Sequence, residues 1–129
     1  MLDHFGFVVR DLHRAVVFYE NCLAPLGLKI IERHDYGAVI FAHSEKDEFP
    51  FIWIGTAKPS FWKENHKPSS SPIHLCFKAK YKEAVDSFHM AAVKFGGTDN
   101  GTPGQRGPGY YAAYVIDPDG NNIEACFRE

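Results

Sequence analysis

The chain carries one pattern twice, and this repeat restricts its fold more than any other feature. Leu2-Asp3-His4-Phe5-Gly6-Phe7-Val8-Val9 alternates as a strand does and runs into a helical stretch from Asp11. Pro72-Ile73-His74-Leu75-Cys76-Phe77-Lys78-Ala79 repeats that start before a second helical stretch from Tyr81. His4 and Phe7 recur 70 residues on as His74 and Phe77. In the helices the offset is 69, with Ala15-Val16 matching Ala84-Val85, Tyr19 matching Phe88 and Gly27 matching Gly96. One deletion between strand and helix accounts for the slip. Leu12, Ala15, Val16, Tyr19 and Leu23 keep helical spacing, as do Ala84, Val85, Phe88, Ala92 and Phe95, and each helix stops near a glycine.

Short strands follow each helix. In the first half they read as Leu28–Arg33, Tyr36–Ala42 and Phe49–Ile54; in the second, as a weak strand around Thr98, then Tyr110–Ile116 and Asn121–Arg128. Asp117-Pro118-Asp119-Gly120 is a turn that joins the last two into a hairpin. Each half is thus β-α-β-β-β, the first over about residues 1–56 and the second over about 72–129. Residues 57–71, rich in Pro, Ser and Lys, read as the linker, and Asn100–Gly109 as a loop. A module of about 60 residues is marginal alone, so the halves are expected to pack as one domain over 1–129.

Composition removes several function classes. The 14 Lys and Arg against 16 Asp and Glu leave a net charge of −2, without the basic footprint of a nucleic-acid or anionic-membrane binder. The longest apolar run, Gly109 to Ile116, is strand-sized, far short of the roughly 18 residues of a membrane span. There is no secretory pattern, and Cys22, Cys76 and Cys126 have no C-x-x-C spacing, so the expected setting is the cytoplasm. Aromatic residues reach 15%, enough to line a pocket for a small molecule. Trp53, Phe61, Trp62, Tyr110, Tyr111 and Tyr114 are the candidates, although strand alternation must send some of them into the core.

Alternation also sorts the polar residues. Phe5, Phe7 and Val9 share one face of the first strand, opposite His4; Ile73, Leu75 and Phe77 lie opposite His74 and Cys76; Ile123, Ala125 and Phe127 lie opposite Glu124 and Cys126. The apolar faces seat the helices. Taken singly, His4 and His74 read as half-buried sheet residues and Glu124 as a solvated carboxylate. Taken together at repeat-related positions, two imidazoles and a carboxylate suit a divalent metal that keeps open positions for substrate. Cys76 and Cys126 face the same way and read as small apolar filler. Arg106, bracketed by Gly104 and Gly107, reads either as solvated or as a clamp for an anionic group of the substrate.

His4…Arg10-Asp11-Leu12…Phe18-Tyr19…Leu26-Gly27-Leu28, His74, and Asp117-Pro118-Asp119-Gly120-Asn121-Asn122-Ile123-Glu124 together resemble the vicinal oxygen chelate superfamily. That group includes glyoxalases, bleomycin-resistance proteins, fosfomycin-resistance enzymes and extradiol dioxygenases. The resemblance implies an α+β fold of two βαβββ modules, whose mixed sheets curl around a cavity with helices on the outer face. It implies a divalent ion (Zn, Fe, Mn or Ni) on His4, His74 and Glu124, chelating substrate oxygens and stabilising an enediolate in a lyase or isomerase reaction. Trp53, Arg106, Tyr111 and Tyr114 would contact the substrate, and a homodimer is possible. Ile54 stands where glyoxalases commonly have a fourth ligand. Ring-cleaving oxygenation and metal-free binding of a small molecule therefore stand as alternatives.

Overall fold

Asp11 starts the first helix: its carboxylate accepts a hydrogen bond from the Arg14 backbone N–H at 3.1 Å, satisfying one of the unpaired donors of the first turn. The computed structural model describes residues 1–56, 63 and 71–129. Phe61, Trp62 and nearly all of the expected linker lie outside them. The elements in chain order are β1 (His4–Val8), α1 (Leu12–Leu23), a 3-10 turn (Ala24–Leu26), β2 (Lys29–His34), β3 (Ala38–Ala42) and β4 (Phe51–Gly55). The second module follows with β5 (His74–Lys78), α2 (Lys82–Lys94), β6 (Thr98–Gly107), β7 (Tyr110–Ile116) and β8 (Asn122–Arg128). None of the helices among the described residues is long and apolar enough to cross a membrane.

The duplication is reproduced in the topology. Among the described residues there are two four-stranded mixed sheets, ordered β1-β4-β3-β2 and β5-β8-β7-β6. In each, the first strand pairs in parallel with the last and the remaining pairs are antiparallel. The expected loop at Asn100–Gly109 is instead most of β6, which pairs with β7 through three register shifts. Its glycines and Pro103 are tolerated because β6 is an edge strand, where missing donors and bulges cost little.

The expected curling of the sheets around a cavity, with the helices outside, is overturned. Both sheets are open, ending on free edge strands, and neither is closed or strongly curled. The reason lies in the helices, which pack on each other as well as on their sheets. The buried face of α1 (Ala15, Phe18, Tyr19, Cys22, Leu23) and that of α2 (Ala84, Val85, Phe88, Ala92) join one continuous core with Phe41, Ile54, Val115, Ile123 and Ala125. The helices thus form a shared inner layer. The opposite face of each sheet is left open.

Gly97 sits where this layer is tightest. A Cβ there would lie 2.5 Å from Val115 Cγ1, 2.7 Å from Phe18 Cε2 and 2.9 Å from the Ala92 carbonyl. Gly97→Ala is therefore expected to destabilise the protein by about 1–3 kcal/mol through overpacking. Urea denaturation measures it, and an unchanged midpoint would show that the two modules yield without strain.

Candidate functional site

The open face of the second sheet gathers a cluster of reactive side chains. Strand pairing accounts for this: Cys76 stands opposite Glu124 on the β5–β8 pair, and Tyr114 stands opposite Glu124 on the β7–β8 pair. His74, Cys76 and Lys78 on β5, Asn122, Glu124, Cys126 and Arg128 on β8, and Tyr110 and Tyr114 on β7 therefore share one face. Ala112, opposite Cys126, has no bulk to cover the centre.

Glu124 is the hub. It is only 4% exposed, and both carboxylate oxygens have partners. Tyr110 Oη donates to Oε1, and His74 Nε2 lies 3.1 Å from Oε2. Tyr114 Oη adds a contact of 3.3 Å to Tyr110 Oη. The network continues behind His74. Asn122 Nδ2 is 3.0 Å from His74 Nδ1, and Asn122 Oδ1 accepts from Asn100 Nδ2 at 3.1 Å. A carboxylate only accepts, so the His74 nitrogen that faces Glu124, Nε2, carries a proton, while Nδ1 lies within reach of both the Asn122 side-chain amide and, at 3.2 Å, the Asn122 backbone carbonyl. The hydrogen bond to Glu124 is the main cause that raises the Tyr110 hydroxyl pKa above the ordinary tyrosine range.

Cys76, Glu124 and Cys126 bring a carboxylate oxygen and two sulfurs within 4.8 Å of one another. Burial is the main influence that pushes the Cys76 thiol upward, and hydrogen bonds to Cys126 and Glu124 add to it. Two guanidinium groups frame the face. Arg128 lies 3.7 Å from the Tyr110 ring centroid, and Arg106 lies 5.3 Å from that of Tyr114 while donating to the Thr102 carbonyl.

The expected triad of His4, His74 and Glu124 is overturned: the donors that gather are two Cys and one Glu. His74 and Glu124 do meet, but His4 belongs to the other sheet, on the face opposite its helix. There its Nδ1 contacts Asp3 Oδ1 at 2.6 Å and its ring stacks on Phe51 at 4.7 Å. Because the helix layer separates the sheets, equivalent positions in the repeat do not become neighbours in space. Trp53 shares the face of His4, with Nε1 3.5 Å from Tyr36 Oη. Tyr111 points the other way, where its hydroxyl donates to Asp86 of α2 at 2.7 Å. Of the residues expected to contact substrate, Tyr114 stands beside Glu124, and Arg106 lies over the Tyr114 ring. Tyr110 was legible only as one of several aromatics, and nothing in the spacing set Cys76 directly opposite Glu124.

Paired βαβββ modules with ionisable side chains on an open sheet face define a class of small-molecule-handling proteins. The chain belongs to the glyoxalase/bleomycin resistance protein/dioxygenase superfamily, whose family model matches residues 1–125. A glyoxalase/bleomycin resistance protein from Albidiferax ferrireducens T118 is 29% identical, with a TM-score of 0.79, over 100% of this chain and 99% of that one. A glyoxalase-related enzyme from Fulvimarina pelagi (17% identity, TM-score 0.77, 99% and 88% of the two chains) shares the fold. So does lactoylglutathione lyase from Agrobacterium tumefaciens (18% identity, TM-score 0.68, 98% and 92%). No curated protein matches at a significant level.

Proposed function

We propose that this protein is a lyase or isomerase that moves a proton on a small oxygenated substrate, with Glu124 as the base. The observation that carries the reading is a carboxylate 4% exposed, at the centre of an open face and held on both oxygens by the donors Tyr110 and His74. A carboxylate fixed in this way has its orientation set before substrate arrives, as proton transfer from carbon requires. Tyr114 is suited to donate a hydrogen bond to the oxygen that gains charge as the proton leaves. Arg106, stacked beside Tyr114, is suited to bind an anionic group of the substrate.

The resemblance to the metal-using members of the superfamily implies a metal, and the donor set fits one. Two sulfurs and a carboxylate suit Zn²⁺ better than Mg²⁺ or Mn²⁺, which prefer all-oxygen sites. Held by the sulfurs of Cys76 and Cys126, beside Glu124, the ion would supply Lewis acidity to a substrate oxygen. We infer a cytoplasmic setting, supported by three free cysteines. A homodimer is supported by Tyr36 and Phe49, which are large and exposed and contact Trp53 and Phe51 of the first sheet.

The test is solvent exchange in D₂O. A panel of 2-hydroxy carbonyl compounds and aldehyde–thiol adducts is incubated with zinc-loaded protein, and deuterium entering at the carbon beside the carbonyl is read by proton NMR. Enzyme-dependent incorporation is expected from at least one member. Oxygen uptake with a catechol in place of exchange would move the assignment to ring cleavage. Tight binding of an aromatic cation without any turnover would move it to sequestration.

A further inference from the structure

Where the second sheet meets the first module, a cleft of about 480 Å³ is lined by Leu26, His43, Lys78, Ala79, Lys80, Phe127 and Arg128. Among the described residues the lining contains three permanent cations and no carboxylate. That is notable in a chain of net charge −2. Among the described residues neither Lys78 nor Lys80 nor Arg128 makes an ion pair, and the Arg128 guanidinium lies over the Tyr110 ring, 3.7 Å from its centroid. The nearby Lys82 is satisfied by Glu129 at 2.9 Å. His43 is held by its Nδ1, 3.0 Å from the Gly27 carbonyl, which leaves Nε2 as the ring's unpaired nitrogen.

Chain geometry explains the clustering. Lys78 ends β5 opposite Cys126, and Lys80 lies two residues further, in the bend before α2. Arg128 ends the neighbouring β8, two residues past Cys126 and on its face. Lys78 and Arg128 thus meet at one end of the sheet, and the bend after β5 brings Lys80 to the same cleft. Like charges in one cleft repel, and a bound anion relieves that repulsion. A carboxylate would meet only part of the charge, whereas a phosphate monoester carries nearly two charges at neutral pH and accepts a bidentate guanidinium. Leu26, Ala79 and Phe127 supply apolar surface for the organic part of the ligand. The volume falls within the range of small-molecule sites.

We propose that this cleft binds a small organic phosphate, with Lys78, Lys80 and Arg128 holding the phosphate group and Phe127 contacting the organic part. The proposal does not depend on the chemistry assigned to Glu124, because it is read by binding alone. Calorimetric titration at low ionic strength compares inorganic phosphate, phenyl phosphate and phenol. Phenyl phosphate is expected to bind several-fold more tightly than inorganic phosphate, with phenol showing no measurable binding. The double substitution Lys78→Gln with Lys80→Gln is expected to weaken phenyl phosphate at least about tenfold, the equivalent of 1.4 kcal/mol. Lys94→Gln, at the far end of α2 and about 18 Å from its start, should leave the affinity unchanged. Circular dichroism and the urea midpoint establish that each variant is folded, and Arg128→Gln repeats the test should the double variant unfold. Equal losses in Lys94→Gln and the lysine pair would mean diffuse attraction and overturn the proposal. So would unchanged binding in the folded cleft variants.

Discussion

Glu124→Gln is expected to lose about 100-fold or more in turnover, the range that a positioned acid or base contributes. The substitution keeps the size of the side chain and removes its capacity to take a proton. It also places an amide NH₂ where one carboxylate oxygen accepted, so either the Tyr110 hydroxyl or the His74 N–H loses its acceptor. That mismatch in a nearly dry position is expected to cost about 1–3 kcal/mol of stability. The two effects separate cleanly. A variant that is folded at the assay temperature, holds zinc as wild type does, binds substrate with ordinary KM and fails only in kcat identifies Glu124 as the base. Retention of more than about a tenth of wild-type kcat would move the base elsewhere on the face. Tyr110→Phe is the companion measurement: it removes one donor to Glu124 without touching the carboxylate, and its activity loss should be distinctly smaller.

The division of faces that makes this experiment possible was readable from the chain, since alternation alone set His74, Cys76, Glu124 and Cys126 on one side and Leu75, Phe77, Ile123 and Ala125 on the other. The same parity separates Tyr111 from Tyr110 and Tyr114, so its turn toward the helix layer and Asp86, against the expectation that it contacts substrate, was legible in the alternation. Two other features were not. Which residue stands directly across from Glu124 depends on the register of β5 against β8, and a parallel pair has no tight turn to set it. The position of His4 depends on how the modules are stacked. Each helix carries an apolar stripe wide enough to serve its own sheet and its partner helix together. Periodicity reports the stripe but not what covers it. The repeat made His4 and His74 equivalent in sequence, and the inner helix layer set them on different sheets.

That layer depends on a polar contact as well as on packing, and the second large effect is expected there. Tyr19, on α1 of the first module, is 1% exposed, and its hydroxyl donates to Asp117 Oδ2 of the second module's turn at 2.5 Å. Asp117 also accepts from the Asp119 N–H at 2.9 Å, the Asn121 N–H at 2.8 Å and Asn121 Nδ2 at 2.9 Å. Arg10, from the first module, holds Asp119 through its Nε at 3.0 Å. The Asp-Pro-Asp-Gly turn is thus a clasp between modules as well as a hairpin. Tyr19→Phe leaves one buried carboxylate oxygen short of a donor and is expected to cost about 1–3 kcal/mol. Asp117→Ala strands four donors and is expected to cost about 3–5 kcal/mol, a large share of the stability of a domain this size. Alkali provides an independent reading. Burial first, and then the Asp117 charge, raise the Tyr19 pKa well above the ordinary 10.0, so above that pH the unfolded chain gives up a proton that the folded chain retains. Stability should therefore be level with respect to this group below about pH 10, and fall above it by about 1.4 kcal/mol per pH unit. Urea midpoints between pH 8 and pH 11 test this, with the fall shallower in Tyr19→Phe than in wild type. Parallel curves for the two proteins would mean that the Tyr19 hydroxyl is not buried against Asp117 in solution, and the clasp would have to be abandoned.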